Sequence, residues 1–424
     1  MTVNRLFEFI KNSPTAYHAT DSVAGILLSE GFTELYEGDK WALTVGGKYF
    51  VRRNKSSIIA FVYREGDVGF NIVASHSDSP AFRVKMSDTT VGAYSRLEVE
   101  RYGGMIYYTW LDRPLSVAGR LVVEAENGVS IKLVNMDCDS LVIPSVAIHM
   151  NREANDGLKL NPARDLLPLY SVGGEKGELM KNIAAVAGTT PDKVLSHDLF
   201  LYCREEPKRV GKDGELILCP RLDDLACVFT STLAFTEAED AELIPTLAVF
   251  DNEEVGSETK QGAASGFLYE TLLRVSGSEE TLLRRLSRSF MVSADNAHAL
   301  HPNRPDLADT DNAPLLNRGV VIKYNANQRY ATDGVSDAIF RTVCARADAP
   351  YQTYCNRADM PGGSTLGSIS DTRLSVPTVD IGLPQLAMHS AVETAGAADL
   401  DSMIKALRKF YETPISMRGS DITI

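Results

Sequence analysis

The chain has 424 residues, 44% of them apolar and 23% charged, and a formal net charge of −13. A single hydrophobic core rarely serves more than about 250–300 residues, so two or three domains are expected. The acidic balance argues against nucleic acid or an anionic membrane surface as the main partner, and no apolar run has the length needed to span a bilayer.

Residues 1–35 read as helix, break, helix, with Ser13-Pro14-Thr15 between the two and Gly31 ending the second. The first ten residues are an amphipathic helix start with Glu8 in it and no secretory apolar region, so a cytoplasmic location is expected. Strands are expected at 48–53, 57–63 and 69–74. From about 85 to about 218 the texture turns β-rich. Arg96 to Glu100 and Ile106 to Trp110 alternate in the strand period, and 121–126 and 129–134 flank the hairpin dipeptide Asn127-Gly128. Residues 155–165 and 175–178 read as a looser, polar tail.

Beyond Arg221 strand and helix alternate. Helices are expected at 225–236, 258–274, 332–347 and 399–411, and strands at 246–250, 290–294 and 378–381. That alternation predicts an α/β fold, a mostly parallel sheet flanked by helices. Residues 1–84 and 219–424 form one domain in this reading, with 85–218 an inserted β-rich domain. The six cysteines form no C-x-x-C pair and read as scattered reduced thiols.

The chemistry gathers at strand ends. An apolar strand runs into Asn252-Glu253-Glu254-Val255-Gly256, where adjacent carboxylates repel and lose solvation unless something holds them. A metal with one acid as ligand and its neighbour as general base meets that need. Ile72 to Asp78 is a strand ending in H-x-D, in which Asp78 is placed to orient His76. Leu222-Asp223-Asp224 precedes a helix, Met291 to Asp295 is a strand ending in an acid, and His389 follows the strand at 378–381. Taken singly, Glu-Glu is an acidic turn, a lone His a core group and a lone Asp an N-cap. Together they meet where ligands of parallel α/β sheets gather, outside the carboxyl ends of the strands. Two histidines with a carboxylate free to bridge suit two zinc ions about 3.5–4 Å apart, with manganese or cobalt as substitutes.

The ordered blocks H-x-D, L-D-D, N-E-E-V-G, A-D-N-A-H and M-H-S resemble the aspartyl aminopeptidase family of di-zinc metallopeptidases. Ala74 to Pro80, Pro220 to Asp223, Val321-Ile322-Lys323, Asn327 to Ala331 and Gly382 to Ser390 extend the likeness along the whole chain. The resemblance implies that His76 and Asp295 hold one zinc, that Glu254 and His389 hold the other, and that Asp223 bridges them. It implies Glu253 as the general base and leaves Asp224 a helix cap. It further implies that His149, in Ile143 to His149, enters a neighbouring subunit's active site and stabilises the oxyanion there. Lys323 would face an acidic side chain of a peptide substrate, and His298 would contact substrate or support its loop. Met360 to Thr365 would line the pocket with amides, although Gly362 stands where relatives carry Cys. The resemblance makes 1–84 and 219–424 the catalytic domain and implies a homo-oligomer, a dodecamer built from dimers, in which the inserted domain 85–218 makes the dimer and oligomer contacts. Two other readings remain: a hydrolase of the same metal architecture with another specificity (broad aminopeptidase, carboxypeptidase or deacylase), and a non-catalytic assembly protein.

Overall fold

The computed structural model describes residues 1–424, with the side chains of residues 86–88 and 418 left aside. Three sheets carry most of the strands. The largest has nine strands, in the order 33–35, 48–53, 57–62, 244–250, 70–76, 290–294, 378–382, 320–324, 351–355. Its four central strands, Ile244–Phe250, Phe70–His76, Phe290–Ala294 and Thr378–Gly382, run parallel. Each is buried along its whole length, which is why most of their residues are apolar on both faces. The helices Leu222–Glu237 and Asp399–Tyr411 cover one face with Phe229, Leu233, Leu407 and Phe410. The helices Phe267–Ser276, Glu279–Leu286 and Leu366–Leu374 cover the other, where Leu272, Leu282 and Leu366 pack on Ile72 and Ile244. This is an α/β fold of sheets flanked by helices.

The second sheet has six antiparallel strands drawn only from residues 81–203. It has its own apolar cluster around Phe82, Trp110, Leu121 and Leu199. The third, of five strands, joins Lys208–Val210 and Leu216–Cys219 to Glu393–Gly396, Pro384–Leu386 and Ala297–His298. The strands at 208–219, expected within the insertion, therefore pair with the end of the chain that carries His389.

Local differences from the sequence reading have local causes. Tyr107–Trp110 is a 3-10 turn, not a strand, because Ile106 and Ala391 bond this segment to the His389 loop one amide at a time and no ladder forms. The hairpin turns on Glu126-Asn127, with Gly128 (φ +136°) already paired to Ala125. Residues 258–266 are turns folded round Ser257, so the helix starts only at Phe267. A Cβ on Gly262 would lie 2.1 Å from the Ser257 carbonyl oxygen. The polar tail contains short helices at Pro162–Asp165 and Glu178–Val186.

Candidate active site

The four parallel strands deliver their ends to one place. His76 closes the strand Phe70–His76 and pairs with Phe250. The chain leaves Phe250 through Asn252, in the left-handed region at φ +64°, and makes a single 3-10 turn at Glu253–Val255. Asp295 follows Ala294 directly, its N–H donating to Ile381 at 3.0 Å. The last strand, Thr378–Gly382, leads on to His389, itself left-handed at φ +66°.

Asp223 lies between the two histidines. Its Oδ1 is 3.4 Å from His76 Nε2 and its Oδ2 is 3.7 Å from His389 Nε2. Asp295 Oδ1 lies 4.0 Å from His76 Nε2, and Glu254 Oε2 lies 3.4 Å from His389 Nε2. Three groups of potential ligand atoms result, each with all its atoms within 4.8 Å of one another: His76, Asp223, Asp224 and Asp295; His76, Glu253 and Glu254; and Asp223, Glu254 and His389. Asp223 belongs to the first and the last of these.

The donor chemistry fits zinc. Buried carboxylate oxygens normally find a donor, yet Asp223 Oδ1, Asp224 Oδ1 and Glu254 Oε1 have no hydrogen-bond partner in the structure. Burial, then repulsion from Asp295, Asp78 and Asp223, pushes Glu253 up to about 8 against an opposing pull from His76. Burial pushes Asp295 up to about 6 despite Lys323. A cation among these acids relieves both effects.

Each histidine is set by its second ring nitrogen. His76 Nδ1 is 3.1 Å from the Asp78 carbonyl oxygen and 3.4 Å from Asp78 Oδ1. Asp78, 4% exposed, does more than orient His76. Its carboxylate accepts the backbone N–H of Glu253 at 3.1 Å, that of Glu254 at 3.2 Å, and the Tyr102 hydroxyl at 2.7 Å. His389 Nδ1 is 3.0 Å from the carbonyl oxygen of Gly104, a residue of the segment joining the inserted sheet to the site.

The remaining expected residues divide. Lys323, Glu253 and His298 join His76, Asp223, Glu254, Asp295 and His389 around a cavity of about 290 Å³. Lys323 is 2% exposed, and its Nζ donates to the Asp295 carbonyl oxygen at 2.8 Å. Burial works to lower Lys323, but Asp295, Tyr330 and Asp380 together outweigh it and the amine stays above its ordinary value. His298 stacks edge-on near Tyr354 and borders a neighbouring cavity of about 330 Å³ as well. Gly363, Ser364 and Thr365 line the first cavity, and Met360 to Gly363 the second. His149 lies apart from its own chain's cavity, in an exposed turn. Asp224, expected to cap a helix, is fully buried, and its Oδ2 accepts the His76 N–H at 3.2 Å; the backbone at Asp223 and Asp224 is not yet helical. The reading of residues missed Glu393, Tyr102 and Asn252. Glu393 accepts the backbone N–H groups of both Asp223 and His389. Its spacing of four from His389 was the only cue.

Residues 9–411 match the family described as aminopeptidase I zinc metalloprotease (M18). The chain belongs to the M18 aminopeptidase family. A probable M18 family aminopeptidase 2 of Clostridium novyi is 43% identical over 423 residues, covering 96% of this chain and 98% of the relative. One of the same description from Ectopseudomonas mendocina is 40% identical, covering 97% and 98%. Among solved structures, a chain from the complex of Ape4 with Nbr1 superposes with a TM-score of 0.94 at 36% identity, covering 97% of this chain and 85% of that one. The S. cerevisiae mApe1 dodecamer gives 0.85 at 25% identity, covering 97% and 96%. The M18 chain described here is thus a zinc-dependent aminopeptidase. None of its helices is long and apolar enough to cross a membrane, among the described residues.

Proposed function

We propose that this aminopeptidase removes the N-terminal residue of peptides, with a preference for Asp or Glu, at a centre of two zinc ions. The observation that carries the reading is Asp223, whose two oxygens face two separate ligand groups. His76 and Asp295 would hold one ion, Glu254 and His389 the other, and Asp223 both. Asp224, buried in the first group, is a further candidate ligand. Two divalent ions also balance the buried carboxylates, which Lys323 alone does not.

Zinc, when bound, polarises the scissile carbonyl and makes water a better nucleophile at neutral pH. The chain does the rest. Glu253 takes the proton of the attacking water on its carboxylate and delivers it to the leaving amine. Asp78 fixes the turn from which Glu253 projects. A structural metal site needs ligands but no such additional base, which favours catalysis over a purely assembling role.

Lys323 supports the acidic preference. Its ammonium is in the cavity wall, in a partly dry setting where a substrate carboxylate is attracted strongly. The adjoining cavity past His298 gives the rest of the peptide a path.

The division into a catalytic part (1–84 and 219–424) and an insert (85–218) also belongs to this proposal, as does assembly into dimers and a dodecamer in the cytoplasm. The turn around His149 is apolar and exposed, with Val146 58%, Ile148 45% and Met150 81% accessible. That surface suits docking on another subunit, which would place His149 beside the partner's site and its oxyanion.

The test is release of the N-terminal residue from Asp-, Glu-, Leu- and Lys-led peptides, before and after chelation. Chelator-sensitive release favouring Asp and Glu is expected. The Lys323→Ala variant should then lose the preference, through a selective fall in kcat/KM for acidic peptides. Acidic selectivity that survives the change would overturn the pocket assignment. Release favouring neutral residues would leave an aminopeptidase of another specificity.

A further inference from the structure

We infer that Glu393 is a positioning residue for both metal ions, the one side chain that ties the bridging ligand to the ligand at the far end of the pair. This rests on the two-metal reading above.

Glu393 begins the strand Glu393–Gly396 and is 2% exposed. Its Oε1 accepts the His389 N–H at 2.8 Å, and its Oε2 accepts the Asp223 N–H at 3.0 Å. Each oxygen of one carboxylate therefore holds the backbone of a different ligand residue. Those residues are distant in sequence and sit on separate loops, so their separation is fixed only where something joins them.

Both loops need holding. His389 is a non-glycine residue at φ +66°, a left-handed conformation that costs about 1–3 kcal/mol unless its surroundings impose it. Glu393 anchors its N–H, and the Ile106 N–H anchors its carbonyl at 3.0 Å. Asp223 departs from helical geometry at φ −83°, ψ 110° within the stretch Leu222–Glu237, so no helical hydrogen bond sets its N–H. Glu393 supplies the missing acceptor. Among the described residues no cationic side chain lies within ion-pair distance of Glu393, and the two backbone N–H groups are its hydrogen-bond donors.

Glu393→Gln tests this. The amide keeps the shape but offers one acceptor, so its NH2 faces either the Asp223 or the His389 N–H, donor to donor. Zinc affinity should fall by about 10–100-fold, the usual effect of losing such a support. Zinc content after dialysis should drop from about two to about one per chain. Added zinc should restore much of kcat, with KM for the peptide little changed. Glu393→Asp, too short to span both amides, should behave alike. Full zinc content with unchanged kcat in both variants would overturn the inference. Should either variant fold only with zinc present, the positioning role stands; equal loss of stability with and without zinc would show a merely structural one. The parent chain and His389→Ala separate the two claims. If the parent holds a single zinc ion, the two-metal reading itself fails, and if His389→Ala keeps two, the assignment of His389 as a ligand fails; if it loses one while Glu393→Gln keeps both, only this inference does.

Discussion

Replacing Asp78 by Asn separates the support of the catalytic turn from the chemistry of the ligands. The carboxylate gives Oδ1 to the Glu253 N–H and Oδ2 to the Glu254 N–H and the Tyr102 hydroxyl. Asn keeps the volume and one oxygen. If that oxygen faces Glu253, the amide NH2 meets the Glu254 N–H; if it faces Glu254, the NH2 meets the Glu253 N–H. One buried donor is orphaned either way, at a cost of about 1–3 kcal/mol. The Tyr102 hydroxyl already takes a hydrogen from Asn252 Nδ2 at 2.8 Å. A cost of this size at the turn that carries Glu253 corresponds to a fall in kcat/KM of about 10–100-fold. The assay is peptide hydrolysis at saturating zinc, with circular dichroism to show that the fold persists. Tyr102→Phe removes one neutral donor and should cost much less. An Asp78→Asn enzyme as active as its parent would refute the argument that this carboxylate holds the turn.

Glu253→Gln should retain zinc, measured by elemental analysis, while turnover drops by about 10²–10⁴-fold, the usual worth of a general base; retained activity would end that assignment. Removing zinc should make stability depend on pH. In the folded, metal-free chain burial and Asp78 push Asp251 up to about 7, and burial with Asp223 pushes Asp295 up to about 6, against 3.8 for an ordinary Asp. These groups are protonated in the folded chain at pH values where the unfolded chain has lost the proton. Their stabilising effect is complete below about pH 4 and disappears as pH rises through about 6–7. The Tm of the zinc-free protein should therefore fall between about pH 4 and about pH 7, and zinc should flatten the slope by favouring the ionised acids. A Tm that rises over this range without zinc would contradict the burial argument.

The strand ends were legible because the physics that hides a strand also marks where it stops. Ile244–Phe250 and Phe290–Ala294 are buried throughout and carry no charge, so the acids just beyond them, Asp251 with the Glu253-Glu254 turn and Asp295, stand out. Long-range supports left no such trace. A backbone carbonyl such as that of Gly104 carries no side-chain signal, yet it sets His389 Nδ1. Asp224 looked like a cap because an Asp before a helix usually is one; the His76 N–H, distant in sequence, claims it instead. Tyr107–Trp110 alternates like a strand, but the His389 loop meets this segment through single bonds, from the Ile106 N–H to the His389 carbonyl and from the Ala391 N–H to the Thr109 hydroxyl.

That last contact bears on why an insert sits here at all. The segment from Tyr102 to Thr109 touches the site at successive points. The Tyr102 hydroxyl meets Asp78 and Asn252, the Gly104 carbonyl orients the His389 ring, and the Ile106 N–H holds the His389 carbonyl. Gly103 is left-handed at φ +76°, and a Cβ there would lie 3.2 Å from the Cβ of Glu254. The same segment continues to Asp112, whose N–H donates to the Ile143 carbonyl at 2.9 Å and whose Oδ1 accepts the Ser145 N–H at 2.9 Å. Ser145 opens the exposed turn that bears His149. A continuous run of hydrogen-bonded backbone thus joins the outer surface of the inserted sheet to His389. Cutting residues 81–203 away would remove the acceptor that fixes the His389 ring, so this sheet contributes to the candidate site of its own chain.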